Sequence, residues 1–192
     1  MKRRIALLTA LILFVGLAGA AAHSEGSIQK QNELLNKLFA AARGNVSDWE
    51  FADYDGDGTY ELFAELDVDV ATDGYIMKTI WFVSDKETVR LTDADGTYVY
   101  LQSVFDAGRY KLQVLDSRHG FWGVYAVRNG RVCEVQYPDL DLYDIEQDEY
   151  TGEIWGYEKY YWSDGTAAWH RLYYDPAANA LVYTGESYRD NS

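Results

Sequence analysis

Two hydrophobic periods divide the chain. In the first, Ile28, Leu34, Leu35, Leu38, Phe39 and Ala42 recur at helical spacing, which lays one apolar stripe along an α-helix. Ser27 is placed to cap the first turn, because its hydroxyl accepts from the orphan N–H groups there, and Gly44 is placed to end the last. The pattern predicts one N-terminal amphipathic helix, within residues 23–45, lying on whatever follows it.

From Trp49 onward the period falls to two. Tyr60, Leu62, Ala64, Leu66, Val68 and Val70 alternate with Glu61, Phe63, Glu65, Asp67 and Asp69, a strand with one buried and, Phe63 excepted, one acidic face. Further strand candidates run over 75–83, 87–91, 97–104, 110–115, 121–127, 131–136, 153–162, 167–174 and 180–183. Asp73-Gly74, Asp95-Gly96, Asn129-Gly130 and Asp164-Gly165 punctuate them, and such pairs supply the positive φ that tight hairpins need. Short connections make neighbouring strands antiparallel. Residues 46–192 are therefore expected to form a mainly β domain, an antiparallel meander of about ten strands folded as a sandwich, barrel or propeller-like sheet.

A third kind of segment precedes both periods. Lys2, Arg3 and Arg4 lead into an apolar run from Ile5 to Leu17 and then small residues to Ala22. This is the layout of a bacterial-type secretory signal peptide over residues 1–22. The Gly- and Ala-rich end favours cleavage over a membrane anchor, and Ala20 stands where a lipoprotein leader carries its lipidated cysteine. The expected product is secreted or otherwise extracytoplasmic, with no stable membrane insertion after processing. Its one cysteine, Cys133, excludes an internal disulfide framework and any multi-cysteine metal site, and within a strand it reads as a small apolar core residue. The formal charge of −14 excludes nucleic acid as a partner, since phosphate binding needs a basic face, and instead attracts cations.

One stretch concentrates that charge usefully. Asp53-Tyr54-Asp55-Gly56-Asp57-Gly58-Thr59-Tyr60-Glu61 puts carboxylates at loop positions 1, 3, 5 and 9 and a glycine at position 6. Calcium takes about six to eight hard oxygen ligands, and acids alternating with turn-forming residues let a backbone wrap until those acids converge. The metal ligands expected from this spacing are Asp53, Asp55, Asp57 and Glu61 with the Thr59 carbonyl, and the ion would be structural Ca2+. Position 12 falls on Ala64, so the glutamate that closes an EF-hand is missing.

Asp53 to Leu62 resembles the D-x-D-G-D-G-x-x-[DE]-L loop of FG-GAP and VCBS-type repeats, found in integrin-like β-propellers and bacterial surface proteins. The resemblance implies calcium between two strands, with Trp49-Glu50-Phe51 entering the loop and Leu62-Phe63-Ala64 leaving it. It covers about a dozen residues in a single copy; Asp93-Ala94-Asp95-Gly96 is a truncated echo read as a hairpin turn.

Other candidates for chemistry are fewer. The acids Asp139, Asp141, Asp144, Glu146, Asp148, Glu149 and Glu153 have no ligand spacing and read as a solvated loop. His119 falls in a turn and His170 in a strand, where packing is its expected role. Trp155, Trp162 and Trp169 lie in a C-terminal stretch crowded with tyrosines; exposed together, their rings would serve as a ligand-binding surface. The expected function is a calcium-stabilised, non-catalytic binding module whose partner is a protein or glycan at the cell surface. The alternatives are a carbohydrate-binding module using the C-terminal aromatics and a small secreted glycoside hydrolase, for which two acids at the right separation are required.

Overall fold

The computed structural model describes residues 27–71, 74–93, 97–159 and 166–189. The leader expected over 1–22 lies outside them, as do Trp162 and the Asp95-Gly96 and Asp164-Gly165 turns. Helix α1 spans 27–41. Twelve strands follow among the described residues: β1 (Asn45–Ala52), β2 (Glu61–Val70), β3 (Ile76–Val83), β4 (Thr88–Arg90), β5 (Val99–Ala107), β6 (Tyr110–Ser117), β7 (Gly120–Arg128), β8 (Arg131–Glu134), β9 (Leu142–Gln147), β10 (Ile154–Glu158), β11 (Ala168–Asp175) and β12 (Ala180–Arg189).

The strands form three four-stranded antiparallel sheets, each a meander of consecutive strands: β1–β4, β5–β8 and β9–β12. The mainly β, antiparallel meander expected from the period-two pattern is the observed architecture. Hairpin chemistry explains the tight turns: Asn129 and Gly130, between β7 and β8, both have positive φ, 51° and 68°, as a two-residue type I′ connection demands.

The side chains place these sheets in a stack. Leu34 and Leu38 of α1 are fully buried against Leu62, Ala64 and Leu66 of β2 and Val83 of β3. The other face of the first sheet, through Phe63, Ile80 and Phe82, packs on Val99, Leu115, Tyr125 and Val127 of the second. The second sheet's opposite face, through Leu112, Val114, Val124 and Ala126, packs on Ile145, Ile154, Leu172 and Leu181 of the third. The layers therefore run helix, first sheet, second sheet, third sheet. Period-two alternation makes this possible, since successive side chains point to opposite faces and both faces of β6 and β7 find apolar partners.

Stacking corrects three expectations. Not all of the acidic face of β2 meets solvent: Glu61 and Glu65 are 0% and 5% exposed, because there the face looks onto the second sheet, whereas Asp69 is exposed. Within the acidic segment 139–153, Leu142–Gln147 is strand β9 rather than loop, with Ile145 buried and Glu146 exposed. Cys133 is half-exposed on the edge strand β8 instead of buried in the core. The helix also uses a narrower stripe than its spacing implies, for Ile28 and Phe39 remain 59% and 55% exposed.

Candidate metal centre

The Asp53–Glu61 loop joins β1 to β2, so its two ends are fixed by adjacent, hydrogen-bonded strands in register from Ala52 opposite Glu61 back to Asp48 opposite Glu65, beyond which the register shifts. Between those ends the backbone turns on its own acids. Asp53 accepts from the N–H groups of Asp57 (3.1 Å) and Gly58 (2.9 Å), and Gly58 takes the positive φ of 89° that the sharp turn requires. The wrap brings one carboxylate oxygen each of Asp53, Asp55 and Glu61 within 4.8 Å of one another. Two oxygens on opposite sides of a Ca2+ ion are separated by about 4.6–5.2 Å, twice the usual bond length. These three acids can hold a metal ion.

The electrostatics of the cluster point the same way. Asp55 and Glu61 are 4% and 0% exposed, and Asp55 Oδ1 and Glu61 Oε1 have no hydrogen-bond partner among the described residues. A buried acceptor left unpaired costs about 1–3 kcal/mol, and more when it is charged. Burial, helped by the nearby charges of Asp55, Asp53 and Asp57, pushes the Glu61 carboxyl up to about 8, against the backbone N–H of Tyr54 (3.0 Å), which favours its ionised form. A divalent cation removes all three penalties, supplying the missing ligand, the countercharge and relief of the mutual repulsion.

Asp57 lies outside this group of three. It is exposed, and its Oδ1 accepts from the Thr59 N–H at 2.7 Å, a bond that holds its carboxyl below the usual carboxylate range. Thr59, expected as a carbonyl ligand, enters the loop's hydrogen bonding through that N–H.

The second sheet buttresses the loop, which the spacing of residues did not signal. Asp55 Oδ2 accepts from the Gly130 N–H at 3.0 Å, and the Tyr54 carbonyl accepts from the Lys111 N–H at 2.8 Å. The Tyr54 ring is fully buried and its hydroxyl donates to Gln113 Oε1 at 2.8 Å. Gly56 passes so close to the β5–β6 hairpin that a Cβ on it would lie 2.6 Å from the Arg109 carbonyl oxygen, which explains glycine there independently of its positive φ. Beside the loop, Asp55, Asp57, Arg109, Arg128 and Asn129 line a polar cavity of about 190 Å³.

The aromatic candidates occupy a different layer. Trp155 and Trp169 both point away from the core of the third sheet, and each is half-buried. Tyr157 pairs with Trp169 and Trp169 with Tyr188 in register; ring centroids lie 5.0 Å apart for Tyr157–Trp169 and 5.1 Å for Trp155–Tyr188. His170 faces inward, fully buried, with Nδ1 2.8 Å from Ser187 Oγ, Nε2 3.1 Å from Glu158 Oε2 and the Tyr183 ring edge-on at 5.4 Å. That ring is part of the core, as its place in a strand predicts. Among the described residues no helix is long and apolar enough to cross a membrane. No protein-family model matches the chain, and no curated protein or solved structure is detectably similar to it.

Proposed function

We propose that the chain is an exported β protein that holds one structural Ca2+ in the Asp53–Glu61 loop and acts by binding a protein or glycan at the cell surface, without catalysis. The observation that carries the calcium reading is that Asp55 and Glu61, whose carboxylates gather with that of Asp53, each bury a carboxylate oxygen with no partner among the described residues. Oxygen-only donors favour a hard cation, and the likeness of the loop to FG-GAP and VCBS-type calcium loops supports Ca2+ as that cation. Asp57 and the Thr59 carbonyl complete the ligand set in this reading. Calorimetric titration of chelator-stripped protein tests it. Calcium is expected to bind at one site per chain and magnesium much more weakly, and the double variant Asp53→Ala, Asp55→Ala is expected to show no heat. Undetectable calcium binding to the unaltered chain would remove the reading.

A second reading, a carbohydrate-binding module, is supported by the ring row on the third sheet, Tyr157, Trp169, Tyr188 and Trp155, because that face carries no further sheet among the described residues. Flat rings of low conformational freedom suit sugar and protein surfaces alike. Trp155→Ala and Trp169→Ala separate recognition from packing. A recognition ring is expected to leave the melting temperature within a few degrees and weaken binding on a glycan array; a packing ring costs about 3–5 kcal/mol and unfolds early.

A further inference from the structure

A polar cavity of about 190 Å³ lies between the cation loop and the second sheet. Asp55, Gly56 and Asp57 form its loop side, and Arg109, Tyr110, Arg128 and Asn129, at the β5–β6 and β7–β8 connections, form the other. Asp57, Arg109 and Asn129 are exposed while Asp55 is buried, so the cavity leads from solvent to an acid of the metal cluster. Its arginines stand apart from others in this acidic chain. Arg131 pairs with Glu87, and Arg171 with Glu153 and Glu186. Arg109 and Arg128 pair with no carboxylate among the described residues. Arg109 Nη2 donates to the Tyr110 hydroxyl at 2.7 Å, and Arg128 Nη2 to the Tyr174 hydroxyl at 3.1 Å and to the Pro176 carbonyl. All three acceptors are neutral. A guanidinium carries five N–H donors, so both arginines hold more donors than the fold engages, and Arg128 Nε is buried with no partner among the described residues.

Charge decides what this cavity accepts. Without an ion, the carboxylates of Asp53, Asp55, Asp57 and Glu61 outnumber the two guanidiniums and repel an anion. A bound Ca2+ adds two positive charges, so that ion and guanidiniums together balance the loop. The ion also keeps places to fill, because calcium takes about six to eight oxygens and the loop offers five residues as ligands. A carboxylate meets both needs, with a hard oxygen for the ion and a planar acceptor for a guanidinium fork. A phosphate monoester brings up to about two negative charges to a site already balanced, and suits it less. The cavity is smaller than the roughly 300–1,000 Å³ of whole-ligand sites, and its one ring, Tyr110, lies under the Arg109 guanidinium at 4.7 Å. The space therefore fits a slender acid side chain and gives a sugar ring no bare face to lie on.

We infer that this cavity is a calcium-dependent docking site for an acidic side chain, aspartate or glutamate, of a protein partner. Docking here rests on the calcium reading of the loop, since the ion supplies the charge that turns repulsion into attraction. The full chain is titrated by nuclear magnetic resonance with the blocked tripeptides Gly-Asp-Gly and Gly-Glu-Gly, with their Asn and Gln counterparts and with glucuronate, each in calcium and in excess chelator. The backbone N–H signals of Gly56, Asn129 and Gly130 are expected to shift with at least one acidic tripeptide, in calcium only, and its affinity to exceed that of its amide counterpart at least tenfold. Arg109→Gln changes an exposed side chain. It is expected to weaken the acidic tripeptide at least tenfold while calorimetric calcium binding is unchanged, with Arg109→Lys between the two. Calcium binding without an acid-dependent shift, equal affinity for the amide tripeptides, peptide binding that survives chelator, or full affinity in Arg109→Gln would each overturn the docking site and leave the calcium reading intact. Glucuronate binding more tightly than both acidic tripeptides would give the cavity to a glycan instead. A chain that binds no calcium would overturn both.

Discussion

Glu61 ends the cation loop and begins β2, and it is the acid in the cluster with no exposed surface at all. In the unfolded chain its carboxyl ionises near the ordinary 4.5, whereas burial delays this to about 8 in the folded, metal-free chain. The folded state therefore binds this proton more tightly. Its contribution to stability is complete below pH 4.5 and is lost as pH rises through about 8. Urea unfolding of chelator-stripped protein is expected to show stability falling across that window by an amount on the order of a few kcal/mol, and Glu61→Gln, which cannot ionise, is expected to flatten the fall. A wild-type profile that rises or stays level between those limits would contradict the buried, metal-free carboxyl. At this scale the loop was legible, because acids at alternate positions around glycines are a local pattern. The partners of those acids were not: Gly130 reaches Asp55 from 75 residues away, and nothing in the spacing around either residue announces the bond. Glu65 repeats the lesson, accepting from the Leu101 N–H at 3.0 Å across the sheet interface, where alternation alone shows only that it shares an acidic face.

Helix α1 and strand β9 mark what a periodic pattern does and does not reveal about an element. The helical period located α1, but Ile28 and Phe39 lie at the edge of the stripe and stay largely exposed, while Leu34 and Leu38 enter the core. Lys30 and Lys37 then tie the helix to the β3–β4 turn, both reaching Asp85, at 2.5 and 2.9 Å. Such exposed pairs are worth under about 1 kcal/mol each, so apolar packing dominates the attachment. Leu34→Ala and Leu38→Ala are expected to cost about 2–5 kcal/mol each, against under about 1 kcal/mol for Phe39→Ala, measured by thermal or urea unfolding. Equal losses at Leu38 and Phe39 would mean that the helix packs by another face. Strand β9 was hidden by charge. Its acids point outward from an edge strand, and its pairing with β10 is interrupted by a register shift beside Tyr157, so neither a clean alternation nor a long apolar run survives in its sequence.

For the whole molecule, the antiparallel meander was legible in the rhythm of short strands and turn dipeptides, but the stack was not. Which faces of three sheets meet is a matter of the cores that gather Phe63 with Leu115 and Val114 with Ile145, residues whose apolar character fits any layered β architecture. The cation loop acquires its meaning at this level. It belongs to the first sheet, yet Asp55 and Tyr54 are bonded to hairpins of the second, so an ion held there stiffens the junction of two layers as well as one turn. Ligand that binds only the folded chain stabilises it by about 2.7 kcal/mol at a hundredfold excess over its Kd, which for a chain of this size raises the melting temperature by roughly 5–10 °C. The most direct measurement is a pair of melting curves at neutral pH, one with excess chelator and one with calcium restored, repeated on the Asp53→Ala, Asp55→Ala variant. The unaltered chain is expected to melt several degrees higher in calcium and the variant to melt at one temperature in both. Melting curves of the unaltered chain that are indifferent to chelator and calcium would contradict a cation centre in the Asp53–Glu61 loop.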